Sequence, residues 1–429
     1  MNNKNIILII ADTLRRDAIS LYNKNVKTPN IEYLAGDSTV YDNAISPASW
    51  TVPAHASIFT GKYVNEHKVH ETYDIKISQL FGRMNDVKYK TIAEILNNEG
   101  YNTIGLSSNA NIIPGSGFDR GFNIFSYMQN YYESILYDNI GNKNYNKIKL
   151  FLNYYKKNGL MNSLDLYKLY NLWIKGSNGH LYDKGGYSLT NYIKNMSVKE
   201  PFFMFINLME MHEPYLVHDT EGIIDFLNNR KIDTNKINKI KKEYFKMSSK
   251  LDDYIGIIIK FLKDNNIYND TDIIFTSDHG QMISENYYGH GTFLTDDLIN
   301  VPLIVKNGKK DNVNKNVSTI IINDIIKNII YNDNNLNIND SVFSESYGIP
   351  LDGAVSFKNR GDKEMPRTAV LKSGYKLVIN NKNVIEEFKK GNKNIDINDN
   401  KNIINDLMDE ISIFNGSNNF NVDNIMSLL

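Results

Sequence analysis

The sequence predicts an α/β protein: a mostly parallel central sheet flanked by helices, with a small C-terminal α+β subdomain. Three observations predict it. Continuous apolar runs recur at Ile6–Ile10, Thr103–Leu106, Phe202–Leu208 and Asp272–Thr276, as strands buried on both faces require. Helical patterns lie between these runs. Towards the C-terminal end, Thr368–Leu371 and Tyr375–Ile379 flank Lys372-Ser373-Gly374, the pattern of two antiparallel strands around a turn.

Each run hands over to polar residues. The first ends at Ala11-Asp12, the second at Ser107-Ser108-Asn109, the third at Met209-Glu210-Met211-His212 and the fourth at Ser277-Asp278-His279-Gly280. Open α/β sheets bind ligands outside these strand ends, so the four endings are expected to converge on one site. Ile92, Ile95 and Leu96 carry helical spacing over Thr91–Glu99, and Gly100 stands where a C-terminal cap glycine belongs. Residues 126–200 are rich in Tyr, Asn, Lys and Leu with weak helical periodicity, and are expected to form a helical insertion or lid. Residues 220–266 read as helices leading into the Asp272 strand, and a last helix is expected over 401–413. The Asn- and Lys-rich stretch 307–340 reads as a linker. The expected division is therefore a catalytic domain over 1–306 and a linker plus C-terminal subdomain over 307–429.

The 429 residues fit one large domain with a smaller appendage, and a hydrophobic content of 41% supports a sizeable core. Lys plus Arg is 48 and Asp plus Glu is 49, a net charge of −1. That balance makes no case for a nucleic-acid polymer as partner. There is no cysteine, which removes disulfides, thiolate metal sites and Cys nucleophiles. The apolar run after Lys4 is too short to span a membrane and lacks a cleavage site, and no window offers about 18 uninterrupted apolar residues. The expectation is a soluble, cytoplasmic protein without a membrane anchor.

Four short segments carry chemistry. In Thr51-Val52-Pro53-Ala54-His55-Ala56-Ser57, closed by His67, a Thr precedes a Pro and a helical pattern. This sets its hydroxyl near a helix N-terminus, where backbone N–H groups favour anions. The segment reads equally well as a Thr that caps its helix. Asp12, in Asp12-Thr13-Leu14-Arg15-Arg16-Asp17, follows a buried strand, where a carboxylate is costly unless paired or metal-bound. Asp278-His279, with His290 close behind in Gly289-His290-Gly291, offers a hard oxygen and imidazole nitrogens as ligands. His212, in Met211-His212-Glu213-Pro214-Tyr215, closes a strongly apolar strand and is a further ligand candidate.

Taken in order, these segments resemble the sulfatase-like branch of the alkaline phosphatase superfamily. Asp12–Asp17 looks like its opening signature, and Thr28-Pro29-Asn30 with Leu34-Ala35 like its next element. Ser49–Ser57 with Thr60-Gly61 looks like the nucleophile segment. Gly117-Phe118-Asp119-Arg120-Gly121-Phe122, the His212 turn, Ser277–Gly280 and Val301-Pro302-Leu303-Ile304-Val305 complete the series. Arg367-Thr368, Tyr375-Lys376-Leu377 and Glu386-Glu387-Phe388 resemble the family's C-terminal subdomain. The likeness covers nearly the whole chain and is weakest over 126–200 and 307–340. The departures bear on mechanism. Sulfatases oxidise a Cys or Ser to formylglycine at the position held here by Thr51, which cannot become that aldehyde. His55 replaces the family's Arg, Ser107-Ser108-Asn109 its Lys-Trp-His segment, and Thr13 the second of its paired aspartates. Thr51-x-Pro-x-His55 with Thr60-Gly61-x-Tyr63 resembles instead the nucleotide pyrophosphatase and phosphodiesterase branch, and phosphoethanolamine transferases also use a Thr nucleophile.

The resemblance implies a metal site of Asp12, Thr51, Asp278 and His279. Three oxygens and one nitrogen suit Zn²⁺ or Mn²⁺ better than Ca²⁺ or Mg²⁺. Thr51 is the expected nucleophile of a hydrolase acting on a small anionic ester, by preference a phosphate monoester or diester. His212 and His290 are expected to bind oxygens, protonate the leaving group or hold a second, weaker metal. The carboxylate that site would want is first Glu210, then Asp297. His55, Asn109 and Arg15 are the expected substrate contacts. The same residues also fit a phospho-group transferase, a sulfatase using unmodified Thr, or a binding protein that kept the fold.

Overall fold

The computed structural model describes residues 4–70, 81–128, 184–213, 215, 231–333, 335–348 and 365–416. An eight-stranded sheet forms its centre, built from β1 (Asn5–Ala11), β2 (Ser38–Ile45), β3 (Asn102–Ser107), β4 (Ile124–Tyr127), β5 (Phe202–Leu208), β6 (Thr271–Thr276), β9 (Asn300–Lys306) and β10 (Asp311–Ser318). Between β6 and β9 the chain forms a separate two-stranded sheet of β7 (Met282–Ile283) and β8 (Tyr288–Gly289). The spatial order of the central sheet is β10-β2-β9-β6-β1-β5-β3-β4. β6, β1, β5, β3 and β4 run parallel. β9 alone runs against its neighbours β6 and β2. The four apolar runs that predicted the sheet are thus β1, β3, β5 and β6, side by side in its middle.

Alternation along β1 explains why this run is apolar throughout. Ile7, Ile9 and Ala11 enter one core, Ile6, Leu8 and Ile10 the other. The first core packs the helices Pro29–Ala35, Gly186–Asn195 and Thr234–Asp264. The second packs Thr51–Thr60, Ile92–Asn98 and Ile321–Tyr331. The result is a three-layer helix–sheet–helix sandwich. The expected helix before Gly100 is present with a reciprocal cap: Thr91 Oγ1 accepts the Glu94 N–H, and the Glu94 carboxylate accepts the Thr91 N–H.

Two expectations about organisation give way. The stretch 307–340 is not a linker. It supplies edge strand β10 and the helix Ile321–Tyr331, whose Ile322, Ile326 and Ile330 are fully buried in the second core. Its Asn and Lys residues line the exposed side of an edge strand, while the Ile pairs follow helical spacing. The expected insertion also begins inside a sheet strand, because residues 126 and 127 belong to β4. Its end, 186–195, is a helix, and residues 129–183 lie outside the described residues. Of the expected helices over 220–266, Thr234–Asp264 is one continuous helix whose N-cap is Asp233, and residues 216–230 again fall outside.

The C-terminal subdomain is an antiparallel sheet ordered β11 (Ser341–Ser346), β12 (Arg367–Lys372), β13 (Tyr375–Asn380), β14 (Ile385–Lys390) and β15 (Lys393–Asn394). The helix Lys401–Asn415 covers one face with Ile404, Leu407, Met408 and Ile411. The other face lays Val342, Ala369 and Val378 against Met282, Leu294, Leu298 and Ile299. The subdomain therefore packs directly on the turns that follow β6.

Within this junction Glu345 is buried, accepting hydrogen bonds from the Asn65 N–H at 2.9 Å and the Tyr347 hydroxyl at 2.8 Å. Burial raises its pKa from 4.5 to about 7. A raised carboxyl binds its proton more tightly in the folded state, so its contribution is complete at low pH and is lost as pH rises from about 4.5 to about 7. Glu345→Gln, which mimics the neutral acid, is therefore expected to gain stability relative to wild type across that window. The gain is about 3 kcal/mol at most, read from denaturant midpoints at pH 4.5 and pH 8.

Candidate active site

The turns after β1, β6, β5 and β3 meet beyond the C-terminal edge of the sheet. Asp12 directly follows β1 and Asp278-His279 follows β6, so the pairing of these adjacent strands brings the two carboxylates together. Asp12, Asp278 and His279 offer ligand atoms that all lie within 4.8 Å of one another, and all three residues are fully buried. Asp12 Oδ2 accepts from Asn109 Nδ2 at 2.7 Å and from Thr51 Oγ1 at 3.3 Å. Asp278 Oδ1 accepts from the backbone N–H groups of Thr13 at 3.2 Å and His279 at 2.8 Å. The other oxygen of each, Asp12 Oδ1 and Asp278 Oδ2, is buried with no hydrogen-bond donor among the described residues. Two such orphaned carboxylate oxygens are costly unless a cation lies between them.

Electrostatics agree. Burial and then Asp278 raise the pKa of Asp12, and burial raises that of Asp278 to about 6, as expected where a positive charge is favoured. His279 is turned correctly for a ligand. Its Nδ1 lies 2.8 Å from the Gly280 carbonyl, which only accepts, so Nδ1 carries the proton and Nε2 keeps its lone pair. Nε2 stands 3.5 Å from Thr51 Oγ1. The residues present therefore fit a divalent cation held by Asp12, Thr51, Asp278 and His279.

Local chemistry explains this precision. Gly280 admits no side chain: a Cβ there would fall 2.0 Å from the Asp297 carbonyl oxygen. Thr13 has φ 56, a left-handed conformation disfavoured for a β-branched residue. Its N–H is held by Asp278, and its carbonyl accepts the Tyr244 hydroxyl at 2.8 Å. Thr51 begins the helix Thr51–Thr60, with Trp50 as the N-cap residue and no side-chain cap hydrogen bond. The capping alternative for Thr51 is thus replaced by a hydroxyl directed at Asp12.

A second group adjoins the first. His212, Glu213 and His290 form another cluster within 4.8 Å. The ring of His290 lies 4.7 Å from that of His279 and 5.1 Å from that of His212, centroid to centroid. His212 Nδ1 donates to the Glu213 carbonyl at 2.7 Å, and His290 Nδ1 meets Gln281 Oε1 at 2.8 Å. Glu213 Oε2 approaches both rings by their Nδ1 edges, at 3.5 and 3.9 Å. Burial opposes the charged form of His212, but Glu213 and Asp12 outweigh it and raise its pKa. Burial lowers that of His290 to about 3. Burial likewise opposes ionisation of Glu213, yet His212 and His290 bring its pKa down to about 2.

The segment after His290 is fastened from the C-terminal sheet. Ser346 Oγ donates to the Gly291 and Thr292 carbonyls, Arg367 Nη1 to the Thr292 carbonyl, and Lys376 Nζ to the Leu294 carbonyl at 2.6 Å. Lys376 also pairs with Asp296 at 2.9 Å.

Of the residues anticipated from the sequence, Asp12, Thr51, Asp278 and His279 converge, and His212 and His290 stand beside them. The three expected substrate contacts all have protein partners. Asn109 joins the site by holding Asp12. His55 is fully buried, edged by Phe59, Phe118 and Phe205. It donates from Nδ1 to the Thr51 carbonyl at 3.0 Å and accepts from Asn207 at Nε2, and burial keeps it neutral with a pKa of about 4. Arg15 pairs with Asp17 at 2.7 Å and Asp297 at 2.9 Å and donates to the Gln281 carbonyl. Two carboxylates balance its charge, and it braces the turn. The carboxylate beside His212 and His290 is Glu213, in place of Glu210 or Asp297. Glu210 accepts the Gly186 N–H, while Asp297 faces Arg15. The adjacency His212-Glu213 carried the same signal as Asp278-His279. Gln281 had none.

Among the described residues no helix is long and apolar enough to cross a membrane. Solved structures share the fold. A putative sulfatase from Bacteroides thetaiotaomicron VPI-5482 has a TM-score of 0.68 at 14% identity, covering 97% of this chain and 93% of that one. The phosphonate monoester hydrolase of Agrobacterium radiobacter has a TM-score of 0.65 at 14% identity, covering 96% and 94%. In sequence the chain is 23% identical to mouse iduronate 2-sulfatase over 325 residues, covering 66% of this chain and 55% of that protein. It is 22% identical to the arylsulfatase of Clostridium perfringens over 325 residues, covering 67% and 65%. The chain thus spans between about half and two thirds of the length of these two relatives. The sulfatase family model matches residues 4–330. With that match covering most of its length, the chain belongs to the sulfatase family.

Proposed function

We propose that the chain is a metal-dependent hydrolase that cleaves small phosphate esters, monoester or diester, through a covalent intermediate on Thr51. One observation carries the reading: an unmodified hydroxyl, at the first turn of a helix, 3.3 Å from Asp12 Oδ2 and 3.5 Å from His279 Nε2. A chain without cysteine, with Thr at this position, has no source of a formylglycine aldehyde here. A phospho-threonine ester is opened by water at phosphorus.

Asp12, Thr51, Asp278 and His279 would hold a divalent cation, with Zn²⁺ or Mn²⁺ preferred over Ca²⁺ or Mg²⁺, and a cation there would lower the pKa of the nucleophilic hydroxyl and neutralise ester oxygens. Asn109 holds Asp12 in place, and His55 ties down the Thr51 backbone. Thr51 Oγ1, its proton released to solvent, attacks phosphorus as the bond to the leaving oxygen breaks and that oxygen takes a proton from His212; water then attacks phosphorus, releasing phosphate and the Thr51 hydroxyl. His212 keeps Nε2 for the substrate, because Nδ1 is bonded to the Glu213 carbonyl. Glu213 approaching from the Nδ1 edges supports histidines that serve the substrate over a tight second metal, and leaves only a weak second site at His212 and His290. An acceptor alcohol in place of water would make the enzyme a phospho-group transferase. A sulfuric ester hydrolase is the second reading, favoured by the curated relatives. The complete ligand set supports catalysis over a binding role. The cytoplasmic setting is part of this proposal, and cell fractionation tests it.

Nitrophenyl phosphate, bis-nitrophenyl phosphate and nitrophenyl sulfate distinguish the readings. Phosphate-ester turnover is expected to stop with EDTA, return with Zn²⁺ or Mn²⁺, and fall about 10³-fold or more in Thr51→Ala. Turnover of the sulfate alone would overturn the phosphate assignment. Acid quenching is expected to trap a phosphoryl adduct on the peptide containing Thr51. Accurate mass separates that adduct from a sulfo group, and steady turnover with no adduct would refute the covalent route.

A further inference from the structure

We propose that Gln281, oriented by Glu213, is a positioning residue. It holds His290 with a proton on Nδ1 and a lone pair on Nε2, so that His290 meets the substrate as a hydrogen-bond acceptor. The kinetic part of this proposal rests on the hydrolase reading above; the tautomer does not.

The assignment is forced step by step. Gln281 is fully buried. One end of its amide lies 2.9 Å from Glu213 Oε2, and the other lies 2.8 Å from His290 Nδ1. A carboxylate offers only lone pairs, so the amide NH₂ must face Glu213. The reverse orientation would press two acceptors together. Oε1 therefore faces His290, and only a protonated Nδ1 can satisfy it. A neutral imidazole has one such proton, which leaves Nε2 unprotonated. The backbone of Gln281 is anchored as well, because its carbonyl accepts from Arg15 Nη1 at 3.3 Å and Arg15 is clamped by Asp17 and Asp297.

The two histidines are held by different means. The Nδ1 partner of His212 is the backbone carbonyl of Glu213, which no substitution removes. The Nδ1 partner of His290 is a side chain, and the orientation of that side chain depends on a further one. The tautomer of His290 is thus set from two residues away in space, by a carboxylate that does not need to touch the substrate. In this state His290 accepts a hydrogen bond from a proton-bearing group, such as water or a protonated ester oxygen. Protonation of the leaving oxygen falls to His212.

Two variants separate this arrangement from ordinary packing. Glu213→Gln lets the Gln281 amide turn over, and Gln281→Leu removes the acceptor. Histidine ring ¹⁵N–¹H correlation spectra of the Zn²⁺-loaded protein, with His290 assigned by loss of its signals in His290→Gln, read the tautomer directly. Wild type is expected to show the proton on Nδ1. Both variants, checked for intact thermal unfolding, are expected to move it at least partly to Nε2. kcat is expected to fall about 10- to 100-fold with a smaller change in KM, in the range typical of groups behind a reacting side chain. The exchange of Glu213→Gln with Gln281→Glu keeps a donor–acceptor contact between the two side chains and a carboxylate oxygen opposite Nδ1, and is expected to restore the tautomer and part of the rate. A wild-type proton on Nε2, or an unmoved proton in both variants, would overturn the proposal. So would a moved proton with unchanged kcat. If wild type turns over no ester, the hydrolase reading fails, while the spectra still decide the tautomer.

Discussion

Everything in the site follows from two carboxylates forced to face each other in the protein interior. Asp12 and Asp278 are fully buried at the ends of adjacent strands, each with an oxygen that finds no donor among the described residues. Burying one uncompensated carboxylate costs several kcal/mol, and two in contact cost more. The surrounding groups compensate only in part. Asn109 satisfies one oxygen of Asp12, and the Thr13 and His279 N–H groups share one oxygen of Asp278. Thr13 accepts an unfavourable backbone conformation in doing so. The balance is what a bound cation would offset, and under the proposed mechanism that cation would also activate the Thr51 hydroxyl beside it. Stability is thus given up at the place where chemistry is gained.

The sheet was legible because its middle strands are buried on both faces. β1, β3, β5 and β6 are nearly unbroken apolar runs, and their polar endings marked the site. β10 was not legible for the converse reason, and β2, though mostly buried, interrupts its apolar residues with Ser38, Thr39, Asp42 and Asn43. β10 is an edge strand with Asn and Lys at exposed positions, and its sequence resembles a loop. β9 entered the sequence reading only as the Val301–Val305 segment of the family likeness, and nothing local to that run specifies that it lies antiparallel between β2 and β6. Register across a sheet is a tertiary property.

The same distinction runs through the site. The convergence of Asp12, Asp278, His279 and Thr51 was legible because each sits at the end of a recognisable element. Arg15, His55 and Asn109 were expected to face the substrate from their places in the segments that carry the family likeness. Their protein partners were not legible, with Asp297 lying far along the chain from Arg15 and Asn207 far from His55. Glu213 was overlooked beside the more conspicuous His212. Gln281 could not be found without coordinates, since its role lies in which way an amide is turned. The C-terminal sheet, legible as a subdomain, proves to fasten the segment after His290 through Ser346, Arg367 and Lys376.

The central claim is that a cation completes the Asp12–Asp278 pair, and thermal unfolding tests it directly. Wild type and Asp278→Asn would be compared with chelator and with Zn²⁺ or Mn²⁺. Binding to the folded state alone adds about 2.7 kcal/mol at a hundredfold excess over Kd, so wild type should melt higher with metal. The variant should not respond. Freed of one of two opposed charges, it should also match or exceed metal-free wild type. A wild type indifferent to metal, with a variant that is simply less stable under every condition, would contradict the account.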